Sequence, residues 1–318
     1  MEPVRDKTRL VLLGATGSIG RSTLEVVRAC PEQLELVGIA GNSKVSELAA
    51  IAREFDVRHV AVCDAAGARE ARAGNGFPEG TQLYEGPEGL RELAAHAGAD
   101  TVLVAIVGTA GLEPTLAAIR AGKRIALASK EILVMAGELV MAEARAHGAQ
   151  ILPVDSEHNA IYQCLEGRPR DQLANIVLTA SGGPFREYRA AQMAQIQPEA
   201  ALAHPNWSMG PKITVDSGTM ANKGLELIEA RWLFDLEPSR IEVVVHPQSI
   251  VHSMVRLVDG SVIAQLSPPE MTFAIQHALL HPGRGPAVRP GLDFTRAMAL
   301  SFEPPDEERF PCLRLARE

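Results

Sequence analysis

Short apolar, β-branched runs alternate with amphipathic stretches of helical period through about residue 154. The runs are Leu10 to Leu13, Leu34 to Ala40, His59 to Val62, Thr101 to Val107, Arg124 to Leu127 and Gln150 to Pro153. Strands separated by helices in this rhythm belong to βαβ units, so the pattern predicts a parallel, Rossmann-like α/β domain over residues 1–154. After Asp155 the rhythm changes to longer helices and to loops carrying Ser, Gly and Pro. Two alternating stretches, Ser253 to Val258 and Ser261 to Leu266, flank Asp259-Gly260 and predict a β-hairpin. The second domain is therefore read as α+β over 155–280. From His281 to Pro290 the composition turns to Pro, Gly and Arg, and from Glu303 to Pro311 it is Pro-rich and acidic, which reads as linker over 281–318.

Composition narrows the classes of function. The 318 residues are 46% hydrophobic and 22% charged, enough apolar material for buried cores in more than one domain. A net charge of −8 and the absence of a Lys/Arg block argue against a nucleic-acid partner. Four scattered cysteines, Cys30, Cys63, Cys164 and Cys312, form no C-x-x-C pair and suit a reducing compartment. A membrane span needs roughly 20 uncharged apolar residues, and the longest candidate, Thr101 to Leu112, is stopped by Glu113. The basic N-terminus leads into a glycine motif and not a cleavage site, so the expectation is a cytoplasmic protein without a membrane anchor.

The run Leu10 to Leu13 leads directly into Gly14-Ala15-Thr16-Gly17-Ser18-Ile19-Gly20 and then into a helical pattern. Glycines at that junction let backbone approach a pyrophosphate at a helix N-terminus, and the βαβ context turns a weak motif into a predicted dinucleotide site. Thr16 and Ser18 add hydroxyl donors. NAD-selective sites place a carboxylate about 20 residues after the glycines, at the end of the second strand. Here that strand ends in Gly41-Asn42-Ser43-Lys44, without an acid, and Ser43 and Lys44 suit a 2′-phosphate, so NADPH is expected over NADH.

Asp155-Ser156-Glu157-His158-Asn159 follows directly on the apolar run ending at Val154. Two carboxylates two residues apart in extended backbone point to one side, and hard divalent cations such as Mg²⁺ take oxygen ligands. The plain alternative is a helix N-cap followed by a first-turn acid. Further on, 216–226 concentrates Ser217, Asn222 and Lys223, donors that suit a phosphate, and Glu226 offers a third carboxylate.

Together these stretches closely resemble the 1-deoxy-D-xylulose 5-phosphate reductoisomerase family. The resemblance is carried by GATGSIG (14–20), AIVGTAGL (105–112), SKE (129–131), DSEHNAI (155–161), SGGPF (181–185), HPNWSMG (204–210), KITVDSGTMANKGLE (212–226) and HPQSIVHSMV (246–255). It implies an NADPH-dependent enzyme that uses Mg²⁺, Mn²⁺ or Co²⁺ to rearrange and reduce a small sugar phosphate, and it implies a homodimer. By the resemblance Asp155, Glu157 and Glu226 ligate the metal. Ser181, Ser217, Asn222 and Lys223 hold the substrate phosphate, and Lys130 and Ser156 contact substrate. Trp207 and Met209 lie on a segment that closes over it, and His158, His204 and His252 match family histidines near the site, His204 with a direct substrate role. Gly14, Thr16, Gly17, Ser18, Ile19, Gly41, Ser43, Lys44, Ala105, Lys130, Glu131, Gly210 and Met271 line the NADPH site.

The family continues into a C-terminal helical domain, of which this chain carries at most the first helix, from Pro311-Cys312-Leu313. Two other readings compete: a different NADP-dependent dehydrogenase, which leaves the carboxylate trio unexplained, and a silent, truncated NADPH-binding remnant.

Overall fold

The structure is a computed structural model that describes residues 7–74, 76–203 and 210–318. It divides into two compact units, Met1–Val154 with Met271–Arg289, and Asp155–Glu270 with Pro290–Glu318.

The first unit is a seven-stranded sheet, all parallel, in the order β4-β3-β2-β1-β5-β6-β7. The strands are β1 (Thr8–Leu13), β2 (Leu34–Gly41), β3 (His59–Val62), β4 (Gln82–Glu85), β5 (Thr101–Val104), β6 (Arg124–Leu127) and β7 (Ile151–Pro153). Between them run α1 (Ser18–Ala29), α2 (Val45–Glu54), α3 (Ala65–Arg72), α4 (Gly86–Ala94), α5 (Leu112–Arg120) and α6 (Glu131–His147). Leu10, Val11, Leu12 and Leu13 are buried, as are Val102, Leu103 and Val104, because both faces of the central strands are covered. The run from Thr101 does not continue to Val107. β5 ends at Val104, since its neighbour β1 also ends there and turns away at Gly14; Val107 is 77% exposed. β4, a short edge strand of mixed polarity, has no apolar run to announce it.

The second unit holds α7 (Ser156–Leu165), β8 (Leu173–Ala180), two single turns α8 (Ala190–Met193) and α9 (Pro198–Ala201), α10 (Pro211–Gly218) and α11 (Ala221–Phe234). It continues with β9 (Ile241–Val245), β10 (Val251–Leu257) and β11 (Val262–Leu266) in a sheet ordered β11-β10-β8-β9. The expected hairpin is β10–β11, antiparallel, with the Leu257 N–H donating to the Ser261 carbonyl at 2.8 Å across the turn and Met254 facing Ala264. β8 and β9 are parallel, so α10 and α11 form part of the crossover between them. The sequence reading passes over both of these strands.

Two segments depart from the sequence reading. The helix α12 (Met271–Leu280), assigned there to 155–280, packs on α1, β6 and β7 in the first unit. Arg124 Nη1 donates to the His281 carbonyl at 2.9 Å, and Arg289 pairs with Glu25 at 2.5 Å. Seven of the ten α12 residues are apolar, and Ala274, Ile275, Ala278 and Leu279 are buried. The segment 303–311, read as linker, is instead built into the second unit. Val245 and Glu303 exchange backbone hydrogen bonds of 2.8 and 2.9 Å, and α13 (Pro311–Leu315) buries Leu313 completely.

Candidate functional site

In the first unit the glycine turn has the geometry its residue types demand. Gly14 adopts φ +95°, and a Cβ there would lie 2.4 Å from the Ala105 carbonyl oxygen. A Cβ on Gly20 would lie 2.3 Å from the Gly14 oxygen, so only glycine lets α1 start this close to the end of β1. Gly17 caps α1 in extended backbone, with no side chain covering the first N–H groups of the helix. Gly14 and Ala105 end adjacent strands at the point where chain order reverses across the sheet, β1 beside β5, which is where open α/β sheets bind ligands. Thr16 and Ile19 are half-buried and Ser18 is exposed on this turn. Gly41 is buried at the end of β2, and Ser43 and Lys44 are exposed just beyond it. Lys130 is buried at the head of α6, and Glu131 is its first residue. A groove of about 910 Å³ lies at the opposite, N-terminal ends of the strands, but its Arg9 and Asp100 are paired with each other at 2.7 Å.

In the second unit the strand-end carboxylates are placed by a helix start. Asp155 caps α7 and Glu157 lies in its first turn, so the extended-backbone expectation for this pair is wrong in detail. α11 supplies Asn222, Lys223, Glu226 and Glu229 on faces three to four residues apart. One oxygen each from Asp155, Glu157 and Glu226 falls within a 4.8 Å cluster. Lys223 Nζ sits 3.1 Å from Glu157 Oε1 and also binds Glu226 Oε2. Asn222 Nδ2 donates to Glu226 Oε1 at 2.6 Å, and Ser156 Oγ donates to Glu157 Oε2 at 2.6 Å.

His158 is fully buried beneath this cluster. Its Nε2 lies 2.9 Å from the Glu226 carbonyl, and its Nδ1 lies 3.4 Å from Glu229 and 3.7 Å from Asp155. Burial alone would lower its pKa, but the surrounding Glu229 and Asp155 charges outweigh that and raise it to about 9. Burial first, and the Glu226 charge second, push the Glu157 carboxyl up to about 7. Burial opposes the charge on Lys223, yet Glu157 and Glu226 hold its pKa above the usual lysine value. Four carboxylates thus face one ammonium and one protonated imidazole, a deficit of positive charge that a hard divalent cation fits. Glu229 has no place in the sequence reading; its only signal there is its spacing one turn beyond Glu226.

A further polar group in this unit starts just past β8. Ser181 directly follows the strand, and its Oγ accepts from the Gly183 N–H at 3.2 Å. Gly182 and Gly183 both have positive φ, and a Cβ on Gly183 would lie 2.7 Å from the Ser217 carbonyl oxygen. The β8 end is therefore pressed against the end of α10, directly before α11 delivers Asn222 and Lys223. His252 is buried on β10, its Nε2 3.2 Å from the Ser267 carbonyl, and burial lowers its pKa to about 4, a packed neutral ring. Gly210 caps α10 and Met271 opens α12. His204, Trp207 and Met209 lie outside the described residues.

Family models for 1-deoxy-D-xylulose 5-phosphate reductoisomerase match residues 10–137, its C-terminal domain 151–234, and a further DXP reductoisomerase C-terminal domain 266–318. The chain is 53% identical over 312 residues to the 1-deoxy-D-xylulose 5-phosphate reductoisomerase of Ralstonia nicotianae, which covers 97% of this chain and 79% of that protein. With the Caldanaerobacter subterraneus enzyme it is 52% identical over 310 residues, 97% of this chain and 80% of that one. A crystal structure of DOX-P reductoisomerase in complex with NADPH, fosmidomycin and magnesium superposes with a TM-score of 0.92 at 47% identity, over 98% of this chain and 78% of that one. The Zymomonas mobilis enzyme in complex with NADPH gives a TM-score of 0.90 at 44% identity, over 98% and 80%.

Proposed function

This chain belongs to the 1-deoxy-D-xylulose 5-phosphate reductoisomerase family, and on that premise we propose that it converts 1-deoxy-D-xylulose 5-phosphate to 2-C-methyl-D-erythritol 4-phosphate, using NADPH and a divalent cation, in the non-mevalonate route to isoprenoids. The observation that carries this reading is the buried carboxylate cluster of Asp155, Glu157 and Glu226, short of positive charge and in contact with Asn222 and Lys223.

The reaction moves a carbon–carbon bond within a ketose phosphate to give a branched aldehyde, which then takes a hydride and a proton. Asp155, Glu157 and Glu226 would hold the cation, which when bound supplies Lewis-acid polarisation of the substrate's carbonyl and hydroxyl oxygens. Ser156 keeps Glu157 oriented through its 2.6 Å hydrogen bond and contacts substrate in our assignment. His158, buried, holds the Glu226 backbone through its 2.9 Å contact and lies 3.7 Å from Asp155, bracing both from beneath.

Lys130 stabilises negative charge on a reacting oxygen or delivers its proton. Ser181, Ser217, Asn222 and Lys223 grip the phosphate, so binding energy from a non-reacting group orients the reacting end. Asn222 and Lys223 contact carboxylates in this structure, and both exchange partners when substrate arrives.

The turn of Gly14, Thr16, Gly17, Ser18 and Ile19 would hold the dinucleotide, with Gly41, Ser43 and Lys44 taking its adenosine end. Ala105, Lys130, Glu131 and Met271 would line the rest of the site in the first unit, and Gly210 is assigned to the cofactor by the family resemblance alone. We also place the enzyme in the cytoplasm as a homodimer. The dimer is supported by β11, which ends its sheet with exposed Val262 and Leu266 along the open edge. Among the described residues no helix is long and apolar enough to cross a membrane.

The deciding experiment is NADPH oxidation by the purified chain with 1-deoxy-D-xylulose 5-phosphate and Mg²⁺. Oxidation that requires both, stops on chelation and yields the branched product is the expected result. No turnover with substrate and Mg²⁺ present would leave the silent-remnant reading standing.

A further inference from the structure

The first unit carries an ion network around Lys44, a residue assigned above to the adenosine end of the cofactor, and two of its members, Arg21 and Glu47, have no role in that assignment. Arg21, in the opening turns of α1, places Nη1 3.1 Å from Glu47 Oε1, and Lys44, which caps α2, places Nζ 3.4 Å from Glu47 Oε2. One carboxylate thus sits between two cations, each on its own oxygen. The three residues span the gap between the start of α1, just past the glycine turn, and the end of β2, where a Rossmann-type unit receives the adenosine ribose.

Both cations are oddly placed for helix chemistry. A positive side chain near a helix N-terminus works against the helix dipole, whereas an anion there is favoured. α1 has no acid in its first turn, and Arg21 is the charged residue nearest its start. The side chains of Arg21 and Lys44 are each 58% exposed and that of Glu47 is 35% exposed, so the pairing is weak and readily exchanged.

We propose that Arg21 and Lys44 form a two-cation clamp for the 2′-phosphate of NADPH, and that Glu47 is a stand-in anion which the phosphate displaces. The inference rests on the assignment of NADPH to the glycine turn. The phosphate offers the same pair of cations more oxygens and more charge than a carboxylate does. Glu47 keeps both side chains aimed at the site when no nucleotide is bound and competes with the phosphate when one is. NADH carries a hydroxyl at that position, gains nothing from the clamp and has no reason to displace Glu47. Selectivity and release of the oxidised cofactor are thereby set by one three-residue balance.

A purely structural strap between α1 and α2 is the rival explanation, and the chain contains its own control. Arg28 and Glu54 pair at 2.6 Å near the far ends of the same two helices. The test is equilibrium binding of NADPH and NADH to the full chain, by nucleotide fluorescence at low ionic strength, for the wild type, Arg21→Gln, Glu47→Gln and Arg28→Gln. The expected results are NADPH binding about tenfold weaker in Arg21→Gln, from the loss of one charge-assisted contact, and about threefold tighter in Glu47→Gln. NADH should be nearly unchanged in both, and Arg28→Gln should leave the NADPH-to-NADH ratio where it was. Both shifts should shrink in high salt. Equal losses for the two nucleotides in Arg21→Gln, an unmoved ratio in Glu47→Gln, or an equal shift in Arg28→Gln would overturn the clamp. If the wild type binds no NADPH, the underlying assignment of the cofactor falls with it.

Discussion

At the scale of single residues, the chemistry depends on charges that would be costly to bury singly. Glu226 is 1% exposed and Lys223 3% exposed, and each is tolerable there because the other lies against it. Glu226→Gln keeps the volume and removes one charge, so metal-dependent turnover should fall by more than about 100-fold. NADPH binding should persist, because the glycine turn is built in the other unit. A Glu226→Gln protein with full Mg²⁺-dependent activity would remove Glu226 from the metal site. His252 gives a separate prediction about stability. Its folded pKa is lowered to about 4, whereas the unfolded chain carries an ordinary histidine near 6.5. The unfolded state therefore takes up the proton first as pH falls. The contribution is complete above about pH 6.5 and is lost progressively toward pH 4, amounting to about 2 kcal/mol by pH 5. Urea midpoints between pH 7 and 5 should fall less steeply for His252→Gln than for the wild type, and identical slopes would count against this origin. The residue types at Asp155, Glu157 and Glu226 are legible in the sequence. Lys223 and His158 are singled out there too, but their contacts with these carboxylates, and Glu229 altogether, emerge only once α7 and α11 are packed together.

Individual elements follow local rules to differing degrees. β1, β2, β3 and β6 coincide closely with their apolar runs because strands buried on both faces are apolar at nearly every position. β4, at the sheet edge, buries only Tyr84 and lacks that mark. The turn from β1 into α1 is the most tightly specified junction in the chain. Gly20→Ala would place a methyl 2.3 Å from the Gly14 carbonyl and 2.5 Å from the Ala15 carbonyl, both backbone atoms that cannot swing aside. A loss of about 3 kcal/mol is expected, with weakened NADPH binding. Gly291→Ala meets nothing within 4 Å and should be neutral by comparison. Thermal unfolding of the two variants measures the contrast, and equal melting temperatures would mean that α1 can shift away from β1 at little cost. Asp155 and Glu157 illustrate the limit of local reading: the same two letters suit a strand end or a helix start, and the structure makes them a helix start.

For the whole molecule, the open edge at β11 bears on assembly. Sedimentation at micromolar concentration should give a species near twice the 34.0 kDa chain mass, and a monomer that still binds NADPH would show that β11 is not a self-association edge. Periodicity and residue type determined most of the first sheet's strands, the glycine turn, the absence of an acid after β2 and the inventory of carboxylates, phosphate donors and cations. These are properties of short stretches, set by backbone sterics and by which side chains can face a core. The strand order β4-β3-β2-β1-β5-β6-β7, the return of α12 to the first unit and the folding of 303–311 onto β9 were decided by tertiary packing. So was the meeting of Glu226 with Asp155 and Glu157, since a strand or helix face carries no label for its distant partner. That choice is made by the apolar area buried when whole elements pack, and the charges at the site are neutralised only after it is made.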